Sequence, residues 1–142
     1  RRHDEWIQGH QTWLGRRGEV VATVVRQPSG GGRWRTDVIF ALTPEGGRRV
    51  IAAGHPFWHI GADSVGRWIV CDTCLGGHIY LVDADDGRCH FVCASEASLG
   101  AAQCSHPHPA ISPDGRWIVF NSDRTGIAQL YAVYVGDITG SG

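Results

Sequence analysis

Gly66-Arg67-Trp68-Ile69-Val70 recurs as Gly115-Arg116-Trp117-Ile118-Val119, an offset of 49 residues, and self-similarity at such a period marks a repeat architecture. Each copy follows turn chemistry. Ser112-Pro113-Asp114-Gly115 sets a proline and an Asp-Gly pair ahead of the second copy, and Asp63-Ser64-Val65-Gly66 a degenerate version ahead of the first. Downstream, His78-Ile79-Tyr80-Leu81-Val82-Asp83 answers Gln129-Leu130-Tyr131-Ala132-Val133-Tyr134, each a short strand with a central tyrosine. A weaker copy lies upstream, where His10 to Leu14, Gly18 to Arg26, Thr36 to Leu42 and Arg48 to Ala52 read as four strands. Arg16-Arg17-Gly18, Gly30-Gly31-Gly32 and Thr43-Pro44-Glu45-Gly46 separate them.

In the middle unit the strands are expected over His55 to Ala62, Arg67 to Thr73, His78 to Asp83 and Arg88 to Cys93, with Ala84-Asp85-Asp86-Gly87 as the last hairpin turn. Four short strands in about fifty residues is the pattern of a β-propeller blade, whose innermost strand lines a central channel. The expected fold class is therefore all-β: a partial propeller of three blade-like units, approximately 9–53, 54–102 and 103–135, the third running out after its third strand. Residues 136–142 are polar and glycine-rich and read as a flexible tail. Closed propellers use roughly four to eight blades, so the expectation is a fragment whose missing blades, its partners, precede Arg1.

Composition agrees and removes other classes. The chain has 142 residues, 42% hydrophobic and 19% charged, with a net charge of −1, a single domain's worth of globular protein. Thirteen basic residues, all arginine, against fourteen acids leave no basic field for phosphates, so no nucleic-acid partner is expected. No apolar run approaches the roughly 20 residues of a membrane-spanning helix, and no membrane partner is expected. Twenty glycines, about twice the usual ~7% share, supply the tight turns of an all-β chain.

Cys71, Cys74, Cys89, Cys93 and Cys104 are an odd number, which leaves one thiol over in any disulfide framework and favours a reducing, cytoplasmic setting. Cys71, Cys74, Cys89 and Cys93 have zinc-like spacing. The competing reading is structural, because Cys71 follows Ile69-Val70 and Cys93 follows Phe91-Val92 in apolar strands, where small thiols pack well.

The functional signal is in the histidines. His10, His55, His59, His106 and His108 all fall on predicted first strands. In Gln103-Cys104-Ser105-His106-Pro107-His108-Pro109, residues 106 and 108 are i and i+2 of a strand, which would project both rings from one face. The two prolines suit an edge strand. Sliding the sequence by the repeat sets His59 on His108, so His59, His106 and His108 are expected to share one ion, with Gln103 adding an amide oxygen. His55, four residues before His59, is the alternative third histidine. Imidazole and amide donors without thiolate suit a borderline divalent ion such as Mn, Fe, Ni or Zn. His78 and His90 read as solvated, and His3 as part of a terminal tail.

The stretch from Gln103-Cys-Ser-His106-Pro-His108-Pro through Ser112-Pro113-Asp114 to Asn121-Ser122-Asp123 resembles a pattern of the oligogalacturonate lyases, polysaccharide lyase family 22. Gly9-His10-x-x-Trp13 and Trp58-His59 with Trp68-Ile-Val-Cys-Asp72 resemble its two upstream stations. The resemblance implies a seven-bladed propeller of which this chain covers the C-terminal three blades. It implies a divalent metal, typically manganese, on Gln103, His106, His108 and His59, and His10 as the base. It implies β-elimination on oligogalacturonide or digalacturonate substrates in pectin breakdown. Two positions depart from the family. The arginine expected upstream of the histidine station has no counterpart, since Arg1 and Arg2 lie too near His10, and Gln11-Thr12 replaces an acidic and an aromatic residue. The isolated piece is therefore expected to be inactive. The alternative is a non-catalytic TolB- or WD40-like interaction module, which shares the Ser-Pro-Asp-Gly turns. A propeller-associated peptidase would need a Gly-x-Ser-x-Gly elbow, and the sequence has none.

Overall fold

The structure, a computed structural model, describes residues 5–26 and 35–140. Among the described residues, eleven strands form three antiparallel sheets. The first holds β1 (Glu5–Trp13), β2 (Val20–Arg26), β3 (Arg35–Leu42) and β4 (Arg48–Ala53) in that order; the second holds β5 (Phe57–Ala62), β6 (Trp68–Thr73), β7 (His78–Asp83) and β8 (Cys89–Ala94). The third has β9 (Ala110–Ile111), β10 (Trp117–Ser122) and β11 (Gln129–Tyr134). Every sheet is an up-and-down meander whose first strand is an edge, and β5 lies against both β1 and β9. The edges that carry His10 and His59 thus adjoin, and the segment with His106 and His108 leads into the third edge.

The turns explain the meander. Between β7 and β8 the Asp83 carboxylate accepts the Asp85 N–H at 2.8 Å, the Gly87 N–H donates to the Asp83 carbonyl at 2.9 Å, and Gly87 takes φ +74°. That left-handed turn is open to glycine at little cost.

Packing explains why β6 reads as unbroken apolar sequence. A strand presents alternate residues to opposite faces, and both faces of β6 are covered. Ile69 and Cys71 join Leu14, Val21, Ile39 and Phe57 in a core shared with the first sheet. Trp68 and Val70 join Ile118, Phe120 and Val135 in a core shared with the third. The sheets therefore stack face to face as propeller blades do, with the middle sheet buried on both sides.

Several boundaries differ from expectation. β1 begins at Glu5, ahead of His10, and β5 begins at Phe57, leaving His55 in the preceding bend. The Gln103-to-Pro109 segment is not a strand: residues 103–105 form a 3-10 turn, and β9 starts only at Ala110. Pro107 and Pro109 offer no N–H to a ladder, and His108 has φ +43°, which breaks the extended alternation. Residues 136–140, expected as a loose tail, close into α1 (Gly136–Thr139). The Val135 N–H donates to the Arg116 carbonyl, and Ile138 packs on the second core, so apolar contact pins this turn. The Gly30-Gly31-Gly32 loop, His3 and residues 141–142 lie outside the described residues. Among the described residues no helix is long and apolar enough to cross a membrane.

Candidate metal centre

His59 and His10 both sit where strand pairing slips. Phe57 pairs with Thr73 and Ile60 with Cys71, so Trp58 and His59 together oppose Asp72 alone. On β1, Ile7 pairs with Val24 and Gln11 with Ala22, and Gly9 at φ +85° lets the extra residues loop out beside His10. Such bulges re-aim side chains. The Thr23 hydroxyl opposite the β1 bulge donates to the Trp58 carbonyl at 2.9 Å, tying one bulge to the other.

At the β5 bulge the Asp72 carboxylate, fully buried, accepts the His59 backbone N–H through Oδ1 and lies 2.7 Å from the ring Nδ1 through Oδ2. A carboxylate only accepts, so a proton on His59 Nδ1 satisfies this pair, and the neutral ring so held offers Nε2 as an acceptor. His106 is arranged the other way round. Its Nε2 lies 2.7 Å from the Gly100 carbonyl, which fixes the proton there, and its Nδ1 is buried with no hydrogen-bond partner. A buried acceptor left bare asks for a ligand.

His108 reaches the same place from its left-handed backbone position. Its Nε2 lies 3.0 Å from Gln103 Oε1, a distance that suits a hydrogen bond and equally two adjacent donors on an octahedral ion with bonds of roughly 2.1 Å. Ligand atoms of His59, His106 and His108 all lie within 4.8 Å of one another. Their ring centroids are 3.7 Å apart for 59 and 108 and 5.8 Å for the other two pairs. The half-buried Trp58 stacks on both His59 and His106, at 4.3 and 4.5 Å. Three imidazoles and an amide oxygen form a set fit for a borderline divalent ion. Among the described residues, no cysteine joins that group: Cys71 packs in the first core and Cys93 against the second, on opposite sides of the sheet. Burial pushes the Cys71 thiol well up and raises those of Cys89 and Cys93.

His10 adjoins the cluster, with its ring 4.5 Å from that of His59. It bonds to the Trp58 backbone, and its Nδ1 is buried without a partner. Burial, then the neighbouring His59, lower the pKa of both His10 and His108 below the ordinary histidine value, which favours the neutral rings a metal or a base requires. His55 lies elsewhere, against Tyr80 at 4.3 Å and Phe57 at 5.7 Å. His78 is exposed, and His90 rests edge-on against Trp68 at 5.9 Å.

Sequence reading gave no role to Asp72, Trp58 or the Gly100 carbonyl. Asp72 had a signal: a carboxylate inside the run Trp68-Ile69-Val70-Cys71 is buried, and a buried charge must be paired. The carbonyl had none, since any residue supplies one.

No family model matches the chain. An uncharacterised protein of Agrobacterium fabrum is 42% identical over 57 residues, 40% of this chain and 17% of that protein. Among solved structures the chain is similar to an oligogalacturonate lyase from Vibrio parahaemolyticus, with TM-score 0.77 and 20% identity over 95% of this chain and 37% of that one. An oligogalacturonate lyase in complex with manganese gives TM-score 0.78 and 21% identity, over 97% and 37% respectively. A TolB-type protein from Agrobacterium tumefaciens gives 0.60 and 26%, over 86% and 40%. These likenesses establish the β-propeller fold, and the chain spans well under half the length of each protein it matches.

Proposed function

We propose that this chain carries the metal centre of an oligogalacturonate lyase-like enzyme acting on short galacturonides, with further blades of the same propeller completing the site. The observation that supports this reading most is the convergence of His59, His106 and His108, whose ligand atoms lie within 4.8 Å of one another while Asp72 and the Gly100 carbonyl occupy His59 Nδ1 and His106 Nε2. In the proposal His59 Nε2, His106 Nδ1, His108 and Gln103 Oε1 hold a divalent ion, manganese by analogy with the lyase complex. The ion, when bound, would supply Lewis acidity toward a uronate carboxylate and so make the adjacent C5 proton removable.

The chain's own residues supply the rest. His10 Nδ1, buried without a partner on a ring whose pKa burial lowers, would take the C5 proton in this reading. The C5–H electron pair becomes the C4–C5 double bond, the C4–O bond breaks, and the departing oxygen takes up a proton, so water is neither consumed nor formed. Trp58 walls the histidines on one side and limits the water around them. The TolB-type likeness supports a second reading, a non-catalytic module in which the same cluster ties blades together.

The test is metal content of the purified chain by mass spectrometry, beside His106→Ala and His59→Ala, with unsaturated-uronide absorbance followed on digalacturonate for the full-length protein. Near-stoichiometric metal lost in both variants, with turnover, is the expected result. Metal binding without turnover selects the module, and a chain that takes up no manganese overturns the metal reading.

A further inference from the structure

Asp72 stands apart from the other groups around the cluster. The Gly100 carbonyl and the Gln103 amide, which orient His106 and His108, are neutral. Asp72 is a carboxylate with no exposed surface, next to last in a strand whose six residues are all buried. Among the described residues no arginine pairs with it; its two oxygens meet the backbone N–H and the ring of one residue, His59, at 2.7 Å each. Holding the bulge needs only the first of those bonds. The second sets the imidazole. A buried anion whose remaining partner is a neutral ring is costly, unless a positive charge lies beyond that ring.

We propose that Asp72 is a positioning residue for the metal, fixing His59 as the Nδ1–H tautomer so that Nε2 faces the ion, and balancing the ion's charge through the ring. The inference rests on the metal reading above and deepens it. With otherwise neutral ligands, one carboxylate behind His59 leaves the bound ion a net positive charge, which is what an anionic sugar acid needs. Outer carboxylates of this kind orient the ring and raise its basicity, and their loss typically weakens metal binding 10- to 100-fold.

Asp72→Asn separates the two jobs. The asparagine oxygen can still accept the His59 backbone N–H and hold the bulge. Its amide NH2 then faces Nδ1 and donates, driving the ring proton to Nε2 and closing the ligand position. Long-range proton–nitrogen NMR on the metal-free chain reads the tautomer directly, and electron paramagnetic resonance of free aqueous Mn gives the affinity. The expected result is Nδ1–H in the native chain, Nε2–H in Asp72→Asn, and Mn bound roughly 10- to 100-fold more weakly by the variant. Nε2–H at His59 in the native chain overturns the inference even if the variant does not fold, and so does a folded variant whose Mn affinity stays within twofold. A native chain with the Nδ1–H tautomer and no Mn affinity overturns the metal reading instead.

Discussion

Gly66 and Gly115 occupy the same place in the repeat, take similar left-handed backbones (φ +86° and +72°), and meet different surroundings. A Cβ on Gly66 would overlap the Leu14 carbonyl of the preceding blade and come within 3.0 Å of Arg17 Cγ. A Cβ on Gly115 would meet nothing within 4 Å. Replacing either by alanine incurs the left-handed penalty, roughly 1–2 kcal/mol. Only Gly66→Ala also forces two backbones apart, an overpacking cost of typically 1–3 kcal/mol. We therefore expect Gly115→Ala to lose about 1–2 kcal/mol and Gly66→Ala about 2–5 kcal/mol, a serious loss against the roughly 5–15 kcal/mol of a whole domain. Urea unfolding followed by tryptophan fluorescence, extrapolated linearly, measures both. Equal losses, within about 0.5 kcal/mol, would refute the tight inter-blade contact, because the strain common to both variants would then account for everything.

Phe57, with no exposed surface, fills the core between the first two sheets, so Phe57→Ala should cost about 3–5 kcal/mol in the same assay; a loss under about 1 kcal/mol would mean that this core is not packed as described. The lowered pKa values of His10 and His108 predict acid sensitivity. The unfolded chain takes up protons near pH ~6.5 while the folded sites resist, so the unfolded state binds more protons below that pH and stability falls as pH drops through ~6.5 toward the folded values. Urea midpoints between pH ~7.5 and ~5 check this, and a midpoint that rises on acidification contradicts it.

The blade repeat was readable because its elements are local: a turn, an apolar strand and a tyrosine-centred partner recur at one spacing, and each is fixed by its own residues. His78–Asp83 matches its predicted strand to the residue, whereas the inner edges shifted: β5 starts at Phe57, and β9 is reduced to Ala110–Ile111. The cluster of His59, His106 and His108 was readable as a grouping but not in its geometry. Alternation along a strand predicts a common face for His106 and His108, yet the rings converge from a 3-10 turn and a left-handed residue. Prolines removed the ladder on which that parity argument depended. The same limit applies to His59 and His10, whose directions are set by bulges, and a bulge is decided by pairing with a strand elsewhere in the chain. Asp72 was visible as an anomaly, a charge in an apolar strand, without its partner being visible too.

The proposed metal centre draws on the second sheet for His59 and on residues 100–108 for the rest, so its geometry depends on what fixes the irregular segment 95–108. Glu96 and Leu99, at its start, have left-handed backbones (φ +55° and +54°), and regular pairing does not hold them. The third sheet does: Asp123 accepts the Ser98 N–H at 2.7 Å and the Ser98 hydroxyl at 2.5 Å, and the Arg124 guanidinium donates to the Ser95 carbonyl at 2.7 Å. Releasing the segment lets the Gly100 carbonyl drift from His106 Nε2, and the ring loses the bond that keeps Nδ1 bare. Asp123→Ala should therefore weaken Mn binding by roughly tenfold, the low end for an outer partner, although Asp123 touches no ligand. Gly66→Ala disturbs the first and second blades and leaves His59, His106 and His108 in place, so where it folds its Mn affinity should stay within about twofold. Parallel Mn titrations of the two variants compare an exposed hydrogen bond with a buried inter-blade contact. If Asp123→Ala binds as tightly as the native chain, the segment is held by something other than the third sheet, and the account of how His106 is oriented fails with it.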